Sequence, residues 1–250
     1  MYIRQTNSTS TLLREQYSDD LPNLYTIRTD YQSAGRGQAG NGWESEDGKN
    51  LLFSTLLRCE VPAAEQFRLT MAVSAAMIEM LAHHLPAGGS LTIKWPNDIY
   101  FGDRKLAGIL VENTLAGSRV AYSIVGIGLN VNQRVFRSPA PNPVSMQQIT
   151  GKEYDAAALL DEYLAALPRW LDMPAELLQE AYMSRLYRRT GLHPYIEREV
   201  SLAPTAIAQN TDGAFLAEIQ GITPQGELVL RKENGETKAY HFKQIRFVIA

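Results

Sequence analysis

A glycine-rich loop with one central arginine is the first stretch of the chain whose residue types suit chemistry. Between Tyr31 and Trp43 it reads Tyr-Gln-Ser-Ala-Gly-Arg-Gly-Gln-Ala-Gly-Asn-Gly-Trp. Its glycines, which free the backbone to adopt positive φ or to approach a ligand, are Gly35, Gly37, Gly40 and Gly42. Arg36 stands between two of them, so its guanidinium has room to fold over a bound anion. Most glycine loops are only turns, so this one needs partners elsewhere in the chain before it indicates a phosphate site.

A second polar cluster covers 94–112 and reads Lys-Trp-Pro-Asn-Asp-Ile-Tyr-Phe-Gly-Asp-Arg-Lys-Leu-Ala-Gly-Ile-Leu-Val-Glu. The tight turn at 102–104 is typical of a hairpin tip, which places Lys105 at the mouth of the next strand, where its ammonium can reach a carboxylate or phosphate. Because proline cannot pair in a central strand, the Trp-Pro pair predicts that Asn97 and Asp98 leave the strand beside Lys105. The simpler alternatives are a solvated hairpin lysine and a turn-forming aspartate.

Alternating glycines mark a third cluster. Gly126-Ile-Gly-Leu-Asn-Val-Asn follows an apolar run over 120–125. Glycines that alternate in a strand indicate either a bulge or a ligand that presses on the backbone, and structural packing alone explains many of them.

Taken together, these clusters resemble the signature segments of the biotin–protein ligases. The Gly-Arg-Gly loop, Lys-Trp-Pro-Asn-Asp, Arg-Lys-Leu-Ala-Gly-Ile-Leu and Gly-x-Gly-x-Asn stand in the family's order and spacing. A further element that precedes the three clusters, Asn7-Ser8-Thr9-Ser10 at a predicted helix start, is similar to the family's Asp-Ser-Thr-Asn segment. Several ordered motifs are far more specific than one. The resemblance covers residues 1 to about 190 strongly and 195–250 more loosely.

The resemblance implies an ATP-dependent ligase that works in two steps. A carboxylate is a poor electrophile, so biotin is first activated with ATP as biotinyl-5'-AMP, and pyrophosphate is released. A lysine of a biotin carboxyl carrier domain then attacks this mixed anhydride and forms an amide. Lys105 and Arg36 are the implied catalytic cations, because they can neutralise the approach of the carboxylate to the α-phosphate. The reaction needs no protein nucleophile, which agrees with a sequence that shows no cysteine or serine constellation.

The same resemblance implies the ligand contacts. Biotin is an apolar bicycle with a polar ureido group, so its pocket should be apolar with a few hydrogen-bonding groups. The implied biotin-binding residues are Ser8, Thr9, Ser10, Gln32, Arg36, Gly37, Gln38, Lys105, Gly108, Gly126 and Gly128. The implied nucleotide-binding residues are Gly35, Arg36, Gly37, Trp43, Asn97 and Asn130. Trp43 either contacts adenine or only packs, and Mg²⁺ is expected on the ATP phosphates, with Asp98 as the candidate metal ligand.

One position departs from the family pattern. Gln38 stands where the family often has a second arginine, and the loss of that cation predicts a less firmly held adenylate. The alternative is a lipoate–protein ligase, which shares the fold and the acyl-adenylate chemistry but has a different glycine-loop signature. A sensor that binds biotin or nucleotide without turnover is disfavoured because both Lys105 and Arg36 are present.

Composition and charge exclude several other classes of protein. The chain has 250 residues and a net charge of −3, which provides no basic field for nucleic acid or an anionic membrane. The sequence shows no membrane span or signal peptide, and the single cysteine, Cys59, is typical of a reducing compartment. Only seven residues precede Ser8, too few for a DNA-reading domain. We therefore expect a cytoplasmic enzyme that binds neither nucleic acid nor membranes, while a homodimer stays open.

The pattern of apolar residues predicts an α+β fold in two units. Residues 1–192 are expected to form the catalytic domain for biotin and ATP, a mixed, largely antiparallel sheet with helices that resembles the class II aminoacyl-tRNA synthetase and biotin ligase fold. Residues 193–250, with short alternating runs between glycine turns, are expected to form a small SH3-like β-barrel. The basic run at 185–189 is predicted to be a solvated helix face. Strands are predicted over 24–29, 50–57, 91–94, 98–101, 106–113, 119–128, 214–219, 227–230 and 237–241, and helices over 9–17, 62–81, 154–171 and 174–186.

Overall fold

A seven-stranded sheet is the frame on which the predicted motifs lie. The structure is a computed structural model that describes residues 1–38, 41–137, 142–198 and 213–249. The strands of this sheet are β1 (Tyr2–Thr6), β2 (Thr26–Gln32), β3 (Leu51–Leu57), β4 (Leu91–Lys94), β5 (Asp98–Phe101), β6 (Arg104–Ala116) and β7 (Arg119–Leu129). They run in the order β1-β2-β3-β7-β6-β5-β4, with β1 parallel to β2 and the other neighbours antiparallel. The predicted mixed, largely antiparallel sheet is confirmed.

Helices cover both faces of this sheet. They are α1 (Thr9–Glu15), α2 (Phe67–Ala82), α3 (Met146–Thr150), α4 (Ala156–Leu171) and α5 (Ala175–Ser184). The predicted apolar stripe of α2 is buried. The helix does not begin at Pro62 as predicted, because Pro62 has an extended ψ of 139° and is followed by a 3-10 turn at Ala63–Glu65. Within the ranges that the structure describes, no helix is long and apolar enough to cross a membrane.

The central strand β3 is mostly apolar because both of its faces are covered. Its sequence, Leu-Leu-Phe-Ser-Thr-Leu-Leu, is buried at every position. On one face it packs into a cluster with Leu13 of α1 and Ile124 of β7, and on the other face it joins the main core with α2 and α4. A strand covered on both faces reads as a continuous apolar run, so the two polar residues within it, Ser54 and Thr55, stand out.

A second, five-stranded antiparallel sheet follows. Its strands are β8 (His193–Glu197), β9 (Ala214–Ile222), β10 (Leu228–Lys232), β11 (Thr237–Tyr240) and β12 (Ile245–Phe247), in the order β11-β10-β9-β8-β12. The sequence pattern predicted β9, β10 and β11 but not β8 or the edge strand β12. The division at 192/193 and the SH3-like barrel class stay predictions.

Side chains of the first unit donate hydrogen bonds to backbone carbonyls of the second. Trp95 Nε1 donates to Gly226 O at 2.9 Å, and Arg188 Nη1 donates to Val248 O at 2.8 Å. Arg189 binds Ile219 O in the same way. The prediction of a solvated helix face at 185–189 is therefore wrong. These arginines lie beyond the end of α5 and fasten the two sheets together.

Candidate active site

A cavity on the seven-stranded sheet collects most of the predicted site residues. α1, the glycine loop, the segment 94–98 and strands β6 and β7 line it, and Phe242 reaches it from the second unit. The predicted residues that line it are Ser8, Thr9, Ser10, Gln32, Arg36, Gly37, Gln38, Trp43, Asn97, Asp98, Lys105, Gly108, Gly126 and Gly128. Gly35 and Asn130 lie outside this lining, as judged from the described part of the chain. Gly40 of the predicted loop lies outside the described residues.

Hydroxyl and amide groups form a polar wall of the cavity. Ser8 is the N-cap of α1, so the next two residues enter the first turn. Thr9 donates its backbone N–H to Gln32 Oε1 at 2.8 Å, and its Oγ1 lies 2.7 Å from Ser54 Oγ. Ser10 Oγ lies 2.9 Å from the same Ser54 oxygen. Because Thr9, Ser10 and Ser54 are buried, this network is fixed and can offer oriented donors and acceptors to a small polar group.

Two glycines that face each other across neighbouring strands form a second wall. Gly108 of β6 pairs with Gly128 of β7 in a continuous register, so the bulge alternative is wrong here. The indole of Trp43 lies against both: a Cβ added to Gly128 would stand 2.3 Å from Trp43 Cε2, and one on Gly108 would stand 2.8 Å from Cζ3. Within the described ranges, Trp43 Nε1 is buried without a hydrogen-bond partner. These glycines therefore serve close approach, and Trp43 is part of the cavity.

Lys105 and Asp98 form an ion pair inside the cavity. Lys105 Nζ lies 2.7 Å from Asp98 Oδ1, and the two side chains are 26% and 23% exposed. The same Nζ lies 5.7 Å from the centroid of the Trp43 ring, within the range of a cation–π contact. Asp98 thus stands beside Lys105 as the sequence predicted, and the solvated hairpin lysine is not what the structure shows.

Arg36 is held at the rim of the cavity by a carboxylate of the sheet. Its Nη2 lies 2.6 Å from Oε1 of Glu112 in β6. The loop backbone folds back on itself around this arginine, through a bridge between Arg36 and Gly42 and a 3.0 Å bond from Trp43 N–H to Gly35 O. This turn brings the guanidinium and the indole to the same cavity.

Lys94 is a third cation of the cavity. Its Nζ lies 5.4 Å from the ring centroid of Tyr100 and 5.1 Å from that of Phe247 in the second sheet. Burial lowers the pKa of the Lys94 ammonium below its ordinary value, and the charge of nearby Asp98 opposes this shift. The sequence motif contains Lys94, but only the packing of Phe247 shows that it faces the junction of the two units.

The two candidate asparagines are engaged by backbone. Asn97 lines the cavity, and its side-chain amide donates to the carbonyl oxygen of Ile109. Asn130 donates to Lys105 O at 3.4 Å and to Val144 O at 3.1 Å, so it supports the strand that carries Lys105. Their predicted contact with a nucleotide stays a prediction.

The comparison with known proteins agrees with this geometry. A family model for the Biotin/lipoate A/B protein ligase family matches residues 2–130, which is more than half of the chain. The chain belongs to the biotin/lipoate A/B protein ligase family. The biotin–[acetyl-CoA-carboxylase] ligase of Paracoccus denitrificans is 30% identical over 208 residues, which cover 82% of each chain. The bifunctional ligase/repressor BirA of Bacillus subtilis is 28% identical over 244 residues, 94% of this chain and 70% of the relative.

A solved structure in the biotin/lipoate ligase family supports the fold. The biotin protein ligase from Aquifex aeolicus in complex with biotin and ATP has a TM-score of 0.74 at 23% identity, and the match covers 99% of this chain and 98% of that one. Likeness at this identity establishes the fold. The predicted α+β fold and the predicted resemblance to the biotin–protein ligases are confirmed.

Four residues in or beside this ligase-family cavity were missed or passed over from the sequence. Lys94 and Phe242 line it, and Ser54 and Glu112 contact the lining residues Thr9 and Arg36. Ser54 carried a signal, since a serine inside a fully buried strand needs a hydrogen-bond partner. Phe242 carried none, because it follows β11 in the second unit, far along the chain from every motif.

Proposed function

We propose that this chain is an ATP-dependent biotin–protein ligase. It joins biotin and ATP into biotinyl-5'-AMP and pyrophosphate, and then transfers biotin to a lysine of a biotin carboxyl carrier domain with release of AMP. The observation that carries the proposal is one cavity in which a buried polar network, a paired-glycine wall and the Lys105–Asp98 pair meet. The polar network suits the ureido group of biotin, and the paired-glycine wall suits a flat ring. The Lys105–Asp98 pair suits a reacting carboxylate and phosphate.

The first half-reaction needs charge neutralisation. The carboxylate oxygen of biotin attacks the α-phosphorus of ATP, a bond to that oxygen forms, and the bond to pyrophosphate breaks. Lys105 and Arg36 supply positive charge to both anions as they approach, which lowers the electrostatic part of the barrier. Asp98 keeps the Lys105 ammonium oriented through the 2.7 Å contact.

The second half-reaction consumes the anhydride. The neutral amine of the acceptor lysine attacks the acyl carbon, the bond to the phosphate oxygen breaks, and AMP leaves with the electron pair while the amine loses a proton. Lys105 again stabilises the charge that develops on the leaving phosphate. The closed glycine loop excludes water, which would otherwise hydrolyse the anhydride.

The side chains that the structure describes do not fit a Mg²⁺ site of their own. Asp98, the candidate ligand, is occupied by Lys105, and the described residues contain no group of three or more His, Cys, Asp or Glu that could hold a metal ion. We therefore assign Asp98 to the orientation of Lys105, and we propose that Mg²⁺ arrives with the ATP phosphates.

The test is incorporation of labelled biotin into a purified biotin carboxyl carrier domain with ATP and Mg²⁺. We expect label in the acceptor and ATP–pyrophosphate exchange that depends on biotin. ATP–pyrophosphate exchange that depends on lipoate and not on biotin would identify a lipoate ligase. Binding of biotin without exchange would identify a sensor. Either result would overturn the proposal.

We also propose a carboxylase carrier protein as the acceptor and the cytoplasm as the location. Cys59 is a half-buried free thiol whose pKa is raised by burial and by the charge of Asp172, as expected for a structural cysteine in a reducing compartment. Cell fractionation followed by immunodetection checks the location, and recovery in an extracellular or membrane fraction would contradict it.

Gly126→Ala is expected to weaken biotin binding about tenfold, because overpacking of a filled site costs roughly 1–3 kcal/mol. A Cβ there would stand 2.4 Å from Ser10 Oγ, so Ser10 must turn away from Ser54 and break the polar wall. Calorimetry with biotin measures the effect. Gly221→Ala in β9 is the matched control, since among the described residues no atom lies within 4 Å of the added Cβ. Equal biotin affinities in the two variants would show that the polar wall does not contribute to biotin binding.

Gln38→Arg is expected to slow the release of biotinyl-5'-AMP by about tenfold, the value of one charge-assisted hydrogen bond. Gln38 lines the cavity next to Gly37, so a guanidinium there can reach the adenylate phosphate. Release is followed by trapping the free adenylate after a chase with unlabelled biotin. Gln38→Met, which adds bulk without charge, is the control, and slow release in both variants would show that bulk decides retention.

The segment 30–48 is expected to be mobile without ligand on either side of the Arg36–Glu112 contact, and to become ordered when biotin and ATP bind. Its five glycines and few large apolar groups give the loop little to bury, and an anion for Arg36 adds an anchor. Limited proteolysis measures this: cleavage within the segment should be fast for the free protein and strongly slowed by both ligands. Residues 39–40 of the segment lie outside the described residues. Unchanged cleavage would mean that the loop does not close over the intermediate.

A further inference from the structure

Glu112 joins two arginines at the edge of the cavity. Its Oε1 lies 2.6 Å from Arg36 Nη2 and 2.9 Å from Arg14 Nη2. Arg14 is in the last turn of α1, where a positive charge is favourable, and Arg36 is in the glycine loop. One carboxylate oxygen therefore ties the helix and the loop to the sheet at a single point.

The position of Glu112 in β6 relates it directly to the cavity. Side chains alternate along a strand, and the register of β6 with β7 is continuous from Ala107 to Thr114. Glu112 thus lies on the same face as Gly108 and Leu110, which line the cavity, and just beyond them. Its carboxylate sets where the Arg36 guanidinium stands relative to the ligand space.

The charges of this cluster favour an anion. Two arginines and one carboxylate leave a net charge of about +1, whereas a lone pair of Arg36 and Glu112 would be neutral. A guanidinium has five N–H donors, so the contact through Nη2 leaves others to face the cavity. Arg14 therefore offsets the charge that Glu112 would otherwise cancel.

The second carboxylate oxygen argues against a purely stabilising role. Glu112 Oε2 is buried, and within the described ranges it has no hydrogen-bond partner. An unsatisfied buried acceptor is costly, and ion pairs with partners as exposed as Arg14 (46%) and Arg36 (40%) contribute little to stability. A carboxylate kept at this cost is better explained by what it positions.

We propose that Glu112 is a positioning residue that holds the Arg36 guanidinium at the cavity rim before ligand binds, with Arg14 keeping the cluster positively charged. The proposal rests on the proposed function, in which Arg36 neutralises the reacting anions. Among the described residues that line the cavity Glu112 is absent and Arg36 is present, so Glu112 acts through Arg36.

A double-mutant cycle tests this. The rate of pyrophosphate release in a single turnover is measured for Arg36→Ala, Glu112→Gln and the double variant, with saturating biotin and ATP. We expect Glu112→Gln to slow the step about tenfold, because misplacement of a catalytic group is costly. In the Arg36→Ala background the same change should cost less than about twofold, since the two residues act as one unit. Equal losses in both backgrounds, or no loss in either, would overturn the proposal.

Two controls keep the result specific. Glu60→Gln removes a carboxylate that lies 3.1 Å from Arg119, away from the cavity, and should leave the rate unchanged. Nitrogen NMR of the free protein measures directly whether the Arg36 guanidinium is held. Rotation of this guanidinium should be restricted in the unmodified protein and in Arg14→Gln, and free in Glu112→Gln. Free rotation in the unmodified protein would overturn the proposal. The NMR measurement needs no turnover. If the unmodified protein were inactive, the proposed function would be overturned, and the NMR measurement would still test whether Glu112 positions Arg36.

Discussion

Lys105→Ala is expected to lower the rate of adenylate formation by a factor on the order of 10²–10³, the usual loss when an oriented charge at the reacting atoms is removed. The structure gives the reason for so large an effect. The ammonium is held by Asp98 on one side and the Trp43 ring on the other, so it needs little reorganisation when the carboxylate and the α-phosphate meet. The side chain is 26% exposed and fills no core volume, so the fold should persist.

Biotin-dependent ATP–pyrophosphate exchange measures this loss, with thermal unfolding as the check on folding. Lys105→Gln serves as the second variant, because it keeps most of the side-chain stem and partners Asp98 through its amide. Lys238→Ala is the matched control: Lys238 also stands in a strand beside a carboxylate, 3.4 Å from Glu197, but in the second sheet. Exchange near the unmodified rate in Lys105→Ala would remove Lys105 from the chemistry.

Arg36→Ala is expected to speed the release of biotinyl-5'-AMP by about 10- to 100-fold, which corresponds to roughly 1.5–3 kcal/mol for a hydrogen bond to a charged group. Biotin affinity should change much less, because the guanidinium matters most once the acyl phosphate exists. Glu112 keeps Arg14 as a partner when Arg36 is removed, so the sheet loses little.

Two measurements separate these effects. Calorimetry gives the affinity for biotin, and a chase experiment gives the release rate of the adenylate from the preformed complex. Arg231→Ala is the control, since Arg231 pairs with Glu218 at 2.9 Å within the second unit. Equal losses in biotin affinity and adenylate retention would show that Arg36 supports the pocket as a whole and has no special relation to the phosphate.

The sequence predicted those parts of the site that lie close together along the chain. The hairpin from Asp98 to Lys105 is local, and its turn at Gly102, where φ is +60°, has the residue that this conformation favours. The ion pair between its two ends therefore followed from spacing and residue type. The antiparallel sheet was predictable for the same reason, since its strands from 91 to 128 are too close for helical crossovers.

The parts that the sequence did not predict depend on contacts across long separations. Glu112 looks like one more polar residue in a strand until the glycine loop places Arg36 against it. β1 was missed because Tyr-Ile-Arg-Gln-Thr is short, polar and mostly exposed, and only its parallel pairing with β2 shows it to be a strand. The arginines at 188 and 189 looked solvated because their acceptors are backbone carbonyls, which no sequence pattern reveals.

The junction between the two sheets limits how this protein can recombine with its relatives. Hydrogen bonds from Trp95 and Arg188 go to backbone oxygens, so a transplanted second sheet would satisfy them whatever its side chains, provided that its main chain followed the same path. Lys94 is different, because its ammonium rests on the Phe247 ring, and a donor with a small or acidic residue there would disturb a cation that lines the cavity. A chimera cut between the two sheets should therefore keep phenylalanine at position 247 of the second sheet, so that Lys94 of the catalytic half retains its partner.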